Sequence, residues 1–191
     1  DHIEKLLDAV KVSEGYYAVF FPNNGGREAF QMYVVAFIAD ALNVGFNFNA
    51  LKIASAIEGL ITLPALWWMA RQIIGTDTEE RRRRGNWIGL SLAALVAISS
   101  WHVMLSRLAL RIVLTPLTAA LVLGFTARCM RHNRLRDYLV LGIVLGAGIY
   151  FYQANRMLPL IAVAGIGLAL LGTVRSPRDF GALIVELIGF G

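Results

Sequence analysis

Long apolar runs separated by short charged ones set the element list of this chain. Ile53 to Ala70 is apolar apart from Glu58 and small polar residues, and Trp87 to Leu105 is interrupted only by Ser, Gly and His102. Leu108 to Ala127 carries one charge, Arg111; Tyr138 to Tyr152 is shorter and uncharged; Met157 to Val174 has no charge. Phe180 begins a further run that reaches Gly191. A helix crosses a bilayer with about 20 mostly apolar residues, so these runs read as spanning helices. No Gly/Ser/Pro linker and no internal repeat divides them.

The first fifty residues follow other patterns. Ile3, Leu6, Leu7 and Val10 keep the i, i+3, i+4, i+7 spacing of one helical face, while Asp1, Glu4, Lys5, Asp8 and Lys11 cover the other. That predicts a surface helix ending near Gly15. Tyr16 to Phe21 is aromatic-rich, as at a membrane interface, and Pro22-Asn23-Asn24-Gly25-Gly26 reads as a loop. Ala29 to Val44 is apolar but short for a span, and is broken by Gln31, Asp40 and Asn43. It predicts a helix lying in or dipping into the interface.

Charge fixes an orientation for these elements. Arg71 and Arg81 to Arg84 fall in one loop, Arg128, Arg131, Arg134 and Arg136 in a second, and Arg175 and Arg178 in a third. By the positive-inside rule all three loops are cytoplasmic. The connections Ser106-Arg107 and Gln153 to Arg156, with everything before Ile53, then face outward. The expected fold is all-α: a polytopic helical membrane protein with an outer-face loop carrying juxtamembrane helices. Residues 1–49 form the extracytoplasmic loop and its helices, and residues 50–191 the transmembrane helices, of one domain. The chain starts at Asp1 and stops at Gly191 inside an apolar run, which reads as an excerpt of a longer polypeptide.

Composition agrees with a membrane setting. Of 191 residues, 57% are hydrophobic and 16% charged, with a mean hydropathy of +0.60; soluble chains average about 45–50% and about 25%. The net charge of +5 comes from 18 Lys and Arg, 15 of them Arg, against 13 acids. Beside apolar spans, the Arg81 to Arg84 run reads as a topology signal rather than a nucleic-acid patch. Cys129 is the single cysteine, and three scattered histidines complete no metal pattern. P-loop, HExxH and CxxC motifs are absent.

Ionisable groups at membrane depth need a partner or a task. Arg107 and Arg111 lie one helical turn apart, as if on one face, and Arg156 belongs to the same outer end. Three guanidinium groups there suit a phosphate, whose oxygens match the planar fork bidentately. The alternative is snorkelling, with each arginine anchoring its helix in the headgroup zone. Glu58 either pairs with Lys52 or faces the bundle interior. His102 reads as a polar ring at headgroup level, with catalysis as the lesser reading. Asp40, Asp137 and Asp179 read as cap or interface residues, and Trp67-Trp68 as a lipid-facing or packed pair.

These features occur in an order that resembles a known family. Asp1 with Leu7-Asp8-Ala9-Val10, Phe20 to Ala29 with its Pro-Asn-Asn-Gly-Gly-Arg-Glu core, and Ala56 to Leu66 leading to Ala70-Arg71 and Ile74-Gly75 resemble the front of a polyprenyl-phosphate-dependent membrane glycosyltransferase. Ser100-Trp101-His102, Leu105-Ser106-Arg107, Arg111, Gly146-Ala147-Gly148-Ile149-Tyr150, Tyr152 and Asn155-Arg156-Met157-Leu158-Pro159 continue the likeness. It lies with the glycosyltransferase C superfamily, in the branch of protein O-mannosyltransferases and lipid A aminoarabinose transferases, and covers essentially the whole chain. The resemblance implies sugar transfer from a polyprenyl-phosphate donor to a hydroxyl of a protein, lipid or glycan, at the extracytoplasmic face of the plasma (inner) membrane.

That family carries its catalytic carboxylate in the first outer loop, commonly in an Asp-Glu pair; Asp1 falls at the first position and His2 at the second. The resemblance implies Asp1 as catalytic base, and Arg107, Arg111 and Arg156 with Tyr152 around the lipid phosphate. Glu28, beside Arg27, has two readings: to orient the acceptor or a cation, or to pair structurally with Arg27. No cofactor is called for; a divalent cation stays open, and nucleic acid is not an expected partner. A transporter would place charges near the midplane of interrupted, repeated helices. That class and a non-catalytic membrane scaffold are the alternatives.

Overall fold

A computed structural model describes residues 2–22 and 27–173. Asp1, the Asn23 to Gly26 loop, the third arginine loop with Asp179, and the run from Phe180 lie outside the described residues. The described chain is helical but for one small hairpin. In order it forms α1 (His2–Ser13), β1 (Phe20–Phe21), β2 (Arg27–Glu28), α2 (Phe30–Ala41), α3 (Phe48–Ile74), α4 (Glu79–Ile98), α5 (Ser100–Arg107), α6 (Leu114–His132), α7 (Leu135–Ile149) and α8 (Leu158–Thr173). Single 3-10 turns, Arg111–Val113 and Gln153–Met157, precede α6 and α8. Two helices are long and apolar enough to cross a membrane, Phe48–Ile74 and Arg111–His132, and a third span arises if α4 and α5, bent by 59°, count as one.

Local chemistry sets the boundaries. Gly15, at φ 92°, closes α1: its N–H reaches the Val12 carbonyl while that of Tyr16 reaches Lys11, the paired pattern that a left-handed residue permits. Asn43, at φ 51°, closes α2 in the same way, with Asn43 N–H on Asp40 and Val44 N–H on Ala39. Asn47 caps α3 by accepting from the N–H groups of Asn49 and Ala50, and Thr78 caps α4 by accepting from Arg81 N–H.

Several expected boundaries move. The Trp87 to Leu105 run is two helices, because Ser99 takes extended backbone (ψ 119°) between α4 and α5. The Leu108 to Ala127 run turns helical only at Arg111, because Ala109 sits at φ 53° and stops α5 from continuing. The Tyr138 to Tyr152 helix is displaced to Leu135–Ile149. Phe20 and Phe21 pair antiparallel with Glu28 and Arg27, so the aromatic run contributes a strand.

The covered side of α1 is partly polar. Lys5, Asp8, Ala9 and Val12 are buried, whereas Ile3 and Leu7 are more than half exposed. The partner surface is polar where α1 meets it: Lys5 Nζ donates to the Ala109 carbonyl at 2.9 Å, and Asp8 pairs with Lys11 at 3.3 Å. Buried polar groups that find partners cost little; of the apolar stripe, Ile3 and Leu7 stay exposed, while Leu6 packs against the core.

Three apolar clusters organise the rest. The first joins α1, the hairpin and α2 to the start of α3 through Phe21, Met32, Val35 and Leu51. The second joins α6, α7 and α8 around Val122, Cys129, Leu141 and Leu158. Between them Ala65, Leu66 and Ala120 join α3 to α6, with Leu92 and Val96 of α4 packed alongside. The only buried residues of α4 are Gly85 and Gly89. A Cβ at Gly89 would lie 2.8 Å from the Trp67 carbonyl oxygen, and one at Gly85 would lie 3.3 Å from Arg71 Cα. The Gly-x-x-x-Gly spacing thus lets two backbones approach closely, as in membrane helix pairs.

Candidate active site

The hairpin and two helix starts meet around one carboxylate. β2 delivers Glu28, the turn after Ala109 delivers Arg111, and the 3-10 turn before α8 delivers Arg156. Arg111 Nη1 donates to Glu28 Oε2 at 2.6 Å, and Arg156 Nη2 stands 3.9 Å from Glu28 Oε1. The side chains are unequally covered: 9% of Glu28 and 16% of Arg111 is accessible, against 55% of Arg156. Glu28 and Arg111 are therefore a fixed pair, and Arg156 is a cation free to turn toward a ligand.

Asn155 sets the turn that carries Arg156. It is 1% exposed, and its Nδ2 donates to Thr118 Oγ1 at 3.2 Å and to the Gly148 carbonyl at 3.0 Å, tying the turn to α6 and α7. Phe30 and Phe151, with ring centroids 4.2 Å apart, hold the start of α2 against the same turn.

Arg107 belongs elsewhere, which corrects the expectation of three arginines in one grip. Ala109 breaks the helix between Arg107 and Arg111, so the two do not share a face. Arg107 instead lines a groove of about 580 Å³ between α3 and the α4–α5 bend, with Lys52, His102 and Ser106. Ala56, Leu60, Leu63 and Val103 wall the remainder. One end of this groove is cationic and polar; the rest is hydrocarbon. His102 Nε2 donates to the Gly59 carbonyl at 3.2 Å, and Ser106 Oγ donates to the His102 carbonyl at 2.9 Å. A Cβ on Gly59 would collide with Ser106 Oγ, so this glycine allows α5 to lie on α3.

A smaller cavity of about 80 Å³ is shared by His2, Lys52, Arg107 and Ala109, and His2 Nε2 donates to the Leu108 carbonyl at 2.8 Å. The chain neighbour of Asp1 is thereby fixed beside both groove cations. Asp1 itself lies outside the described residues, as does the Arg27 side chain.

Other expectations are settled by contacts. Glu58 does not pair with Lys52: it is 4% exposed and accepts from Gln31 Nε2 at 3.2 Å, which also bonds Ser55, so it ties α2 to α3. Lys52 is exposed toward the groove. Its functional setting was invisible in the sequence, where it stands as an isolated lysine; spacing to Ala56, Gly59 and Leu63 on one helical face was the available signal. Asp137 is buried against Arg128 at 2.8 Å rather than serving as an open cap. Trp67 packs under Arg71, 4.7 Å from its ring centroid. Among the described residues Tyr152 makes no hydrogen bond to Glu28, Arg111 or Arg156, and no three His, Cys, Asp or Glu side chains converge on a metal-sized site. Glu28 has guanidinium groups at both oxygens, a setting that does not fit a bound cation.

Chemically the region offers two adjoining functions: a cation-headed apolar groove, suited to an amphiphile with an anionic head, and a carboxylate locked between arginines at the end of α6. The chain finds no match among protein-family models, curated proteins or solved structures.

Proposed function

We propose that the chain is the N-terminal part of an integral-membrane glycosyltransferase that moves a sugar from a polyprenyl-phosphate donor to an acceptor hydroxyl at the extracytoplasmic face. The observation that carries this reading is the groove with Lys52 and Arg107 at its polar end and aliphatic walls. A prenyl chain suits the walls, and its phosphate suits the two cations. The proposed orientation rests on charge: Arg71, Arg81 to Arg84, Arg128, Arg131, Arg134 and Arg136 collect at the other ends of α3, α4, α6 and α7, and the positive-inside rule favours a cytoplasmic side for them and an outer side for α1, α2 and the hairpin.

In the reaction the acceptor oxygen attacks the anomeric carbon, the bond from that carbon to the phosphate oxygen breaks, and polyprenyl phosphate departs with the electron pair. A carboxylate accepts the acceptor's proton; the role is assigned to Asp1, the residue that precedes His2 in sequence. Lys52 and Arg107 stabilise the charge gathering on the leaving phosphate inside a partly dry groove, where such stabilisation is strongest. Arg156 is the exposed cation of the separate Glu28 cluster, available to the donor or acceptor, and Glu28 holds Arg111 rather than binding substrate.

The test uses the full-length protein and a labelled polyprenyl-phosphate sugar. Asp1→Asn is expected to stop release of polyprenyl phosphate while leaving thermal unfolding unchanged. Lys52→Ala and Arg107→Ala should each raise the donor KM by about 10- to 100-fold, the worth of one hydrogen bond to a charged group. Unaltered donor KM in both variants would overturn the groove as donor site, and unaltered turnover in Asp1→Asn would remove the base.

A further inference from the structure

At the end of the bundle opposite the groove, a second cavity of about 520 Å³ opens between α3, α6 and α7. Its rim carries Arg128, Arg134 and Arg136, and Trp68 and Phe125 line it beside them. Arg128 is neutralised by buried Asp137, Nε to Oδ1 at 2.8 Å. Arg134 and Arg136 are exposed and have no ion-pair partner among the described residues. The rim therefore keeps two uncompensated positive charges. The aromatic pair is built in: the rings stand 4.8 Å apart between centroids, and Trp68 lies so close over Gly124 that a Cβ there would enter its ring.

We propose that this cavity is a binding site for an anionic phospholipid, which takes its phosphate from Arg134 and Arg136 and lays the upper part of an acyl chain on Trp68 and Phe125. Three observations select this occupant. Both helices that form the floor, α3 and α6, are the two long enough to cross a bilayer, so the cavity opens toward lipid. Trp68 is six residues before the end of α3, about 9 Å along the helix at 1.5 Å per residue, so the aromatic pair lies inward of the helix end, where an acyl chain rather than a headgroup would rest. The charges match: a basic pocket between spanning helices complements the headgroup of an anionic lipid. The site is independent of the groove at Lys52 and of any sugar transfer.

The test is thermal unfolding of the full-length protein in a neutral detergent, titrated with phosphatidylglycerol, phosphatidylcholine or inorganic phosphate. Phosphatidylglycerol is expected to raise Tm and the other two to leave it in place. Arg134→Gln/Arg136→Gln should unfold like wild type without lipid yet need about 25-fold more phosphatidylglycerol, about fivefold per charge removed. Arg82→Gln/Arg83→Gln removes the same charge outside the cavity and should respond like wild type. An equal response to phosphatidylcholine or to inorganic phosphate would overturn the proposal, as would an equal loss in both double variants or an unchanged titration in the first.

Discussion

Arg111→Ala is expected to lower unfolding stability by about 3 kcal/mol and to reduce sugar transfer by on the order of a hundredfold. The pair with Glu28 carries much of the stability loss: Glu28, with 9% of its side chain accessible, would keep its charge without the guanidinium 2.6 Å away. Removing one partner of a largely buried ion pair costs about 3–5 kcal/mol, mostly from the stranded charge, and Arg156 at 3.9 Å keeps the figure at the low end. The activity loss follows from position, because the pair anchors β2 and the start of α6 to each other. The double variant Arg111→Ala/Glu28→Gln separates the two contributions. Without a carboxylate to strand, it should recover at least half of the lost stability in a detergent unfolding assay and little of the transfer. A double variant no more stable than Arg111→Ala would show that the pair's charge is not what holds the hairpin.

The second large effect is expected at the α3–α4 seam. Gly89→Val should lower stability by more than about 3 kcal/mol, and Gly89→Ala by about 1–3 kcal/mol, the usual range for overpacking. A Cβ at this position meets backbone, 2.8 Å from the Trp67 carbonyl oxygen and 3.1 Å from its Cα, so no rotamer change relieves it and the helices must part. Gly85→Ala should cost less, since its nearest neighbour is Arg71 Cα at 3.3 Å. Gly142→Ala and Gly146→Ala, with open space around each, should be neutral or slightly stabilising. Equal unfolding temperatures for Gly89→Ala and Gly142→Ala would refute the seam.

Which parts of this arrangement could be read from the letters depends on what competes with local pattern. The α3 and α6 runs were legible because a long apolar segment has few alternatives, and Asn47 and Thr78 stand where helices begin. The covered side of α1 was not legible, because hydrophobic spacing reports which side is greasier, not which side the protein packs against. Lys5 is buried because Ala109 offers it a carbonyl, and nothing near Lys5 in sequence says so. The split between Arg107 and Arg111 turns on a single alanine in the left-handed region, a conformation its side chain does not favour. Sequence reasoning brought Glu28, Arg111 and Arg156 to one end of the bundle but not into contact. The Gly85–Gly89 spacing was present in the letters as a helix-pairing signal, but only Gly89 fell within the Trp87 to Leu105 run and the pairing was not read.

The clasp between Lys5 and Ala109 joins positions 104 residues apart, and Glu28 waits 83 residues for Arg111. A ribosome adding about 5–20 residues per second leaves the first of these unmade for about 5–20 s after Lys5 is synthesised. Through that interval the contacts of Lys5 with Ala109 and of Glu28 with Arg111 cannot form. Biogenesis of this membrane segment therefore has an obligatory late step, in which an early-made piece is locked only when the turn before α6 emerges.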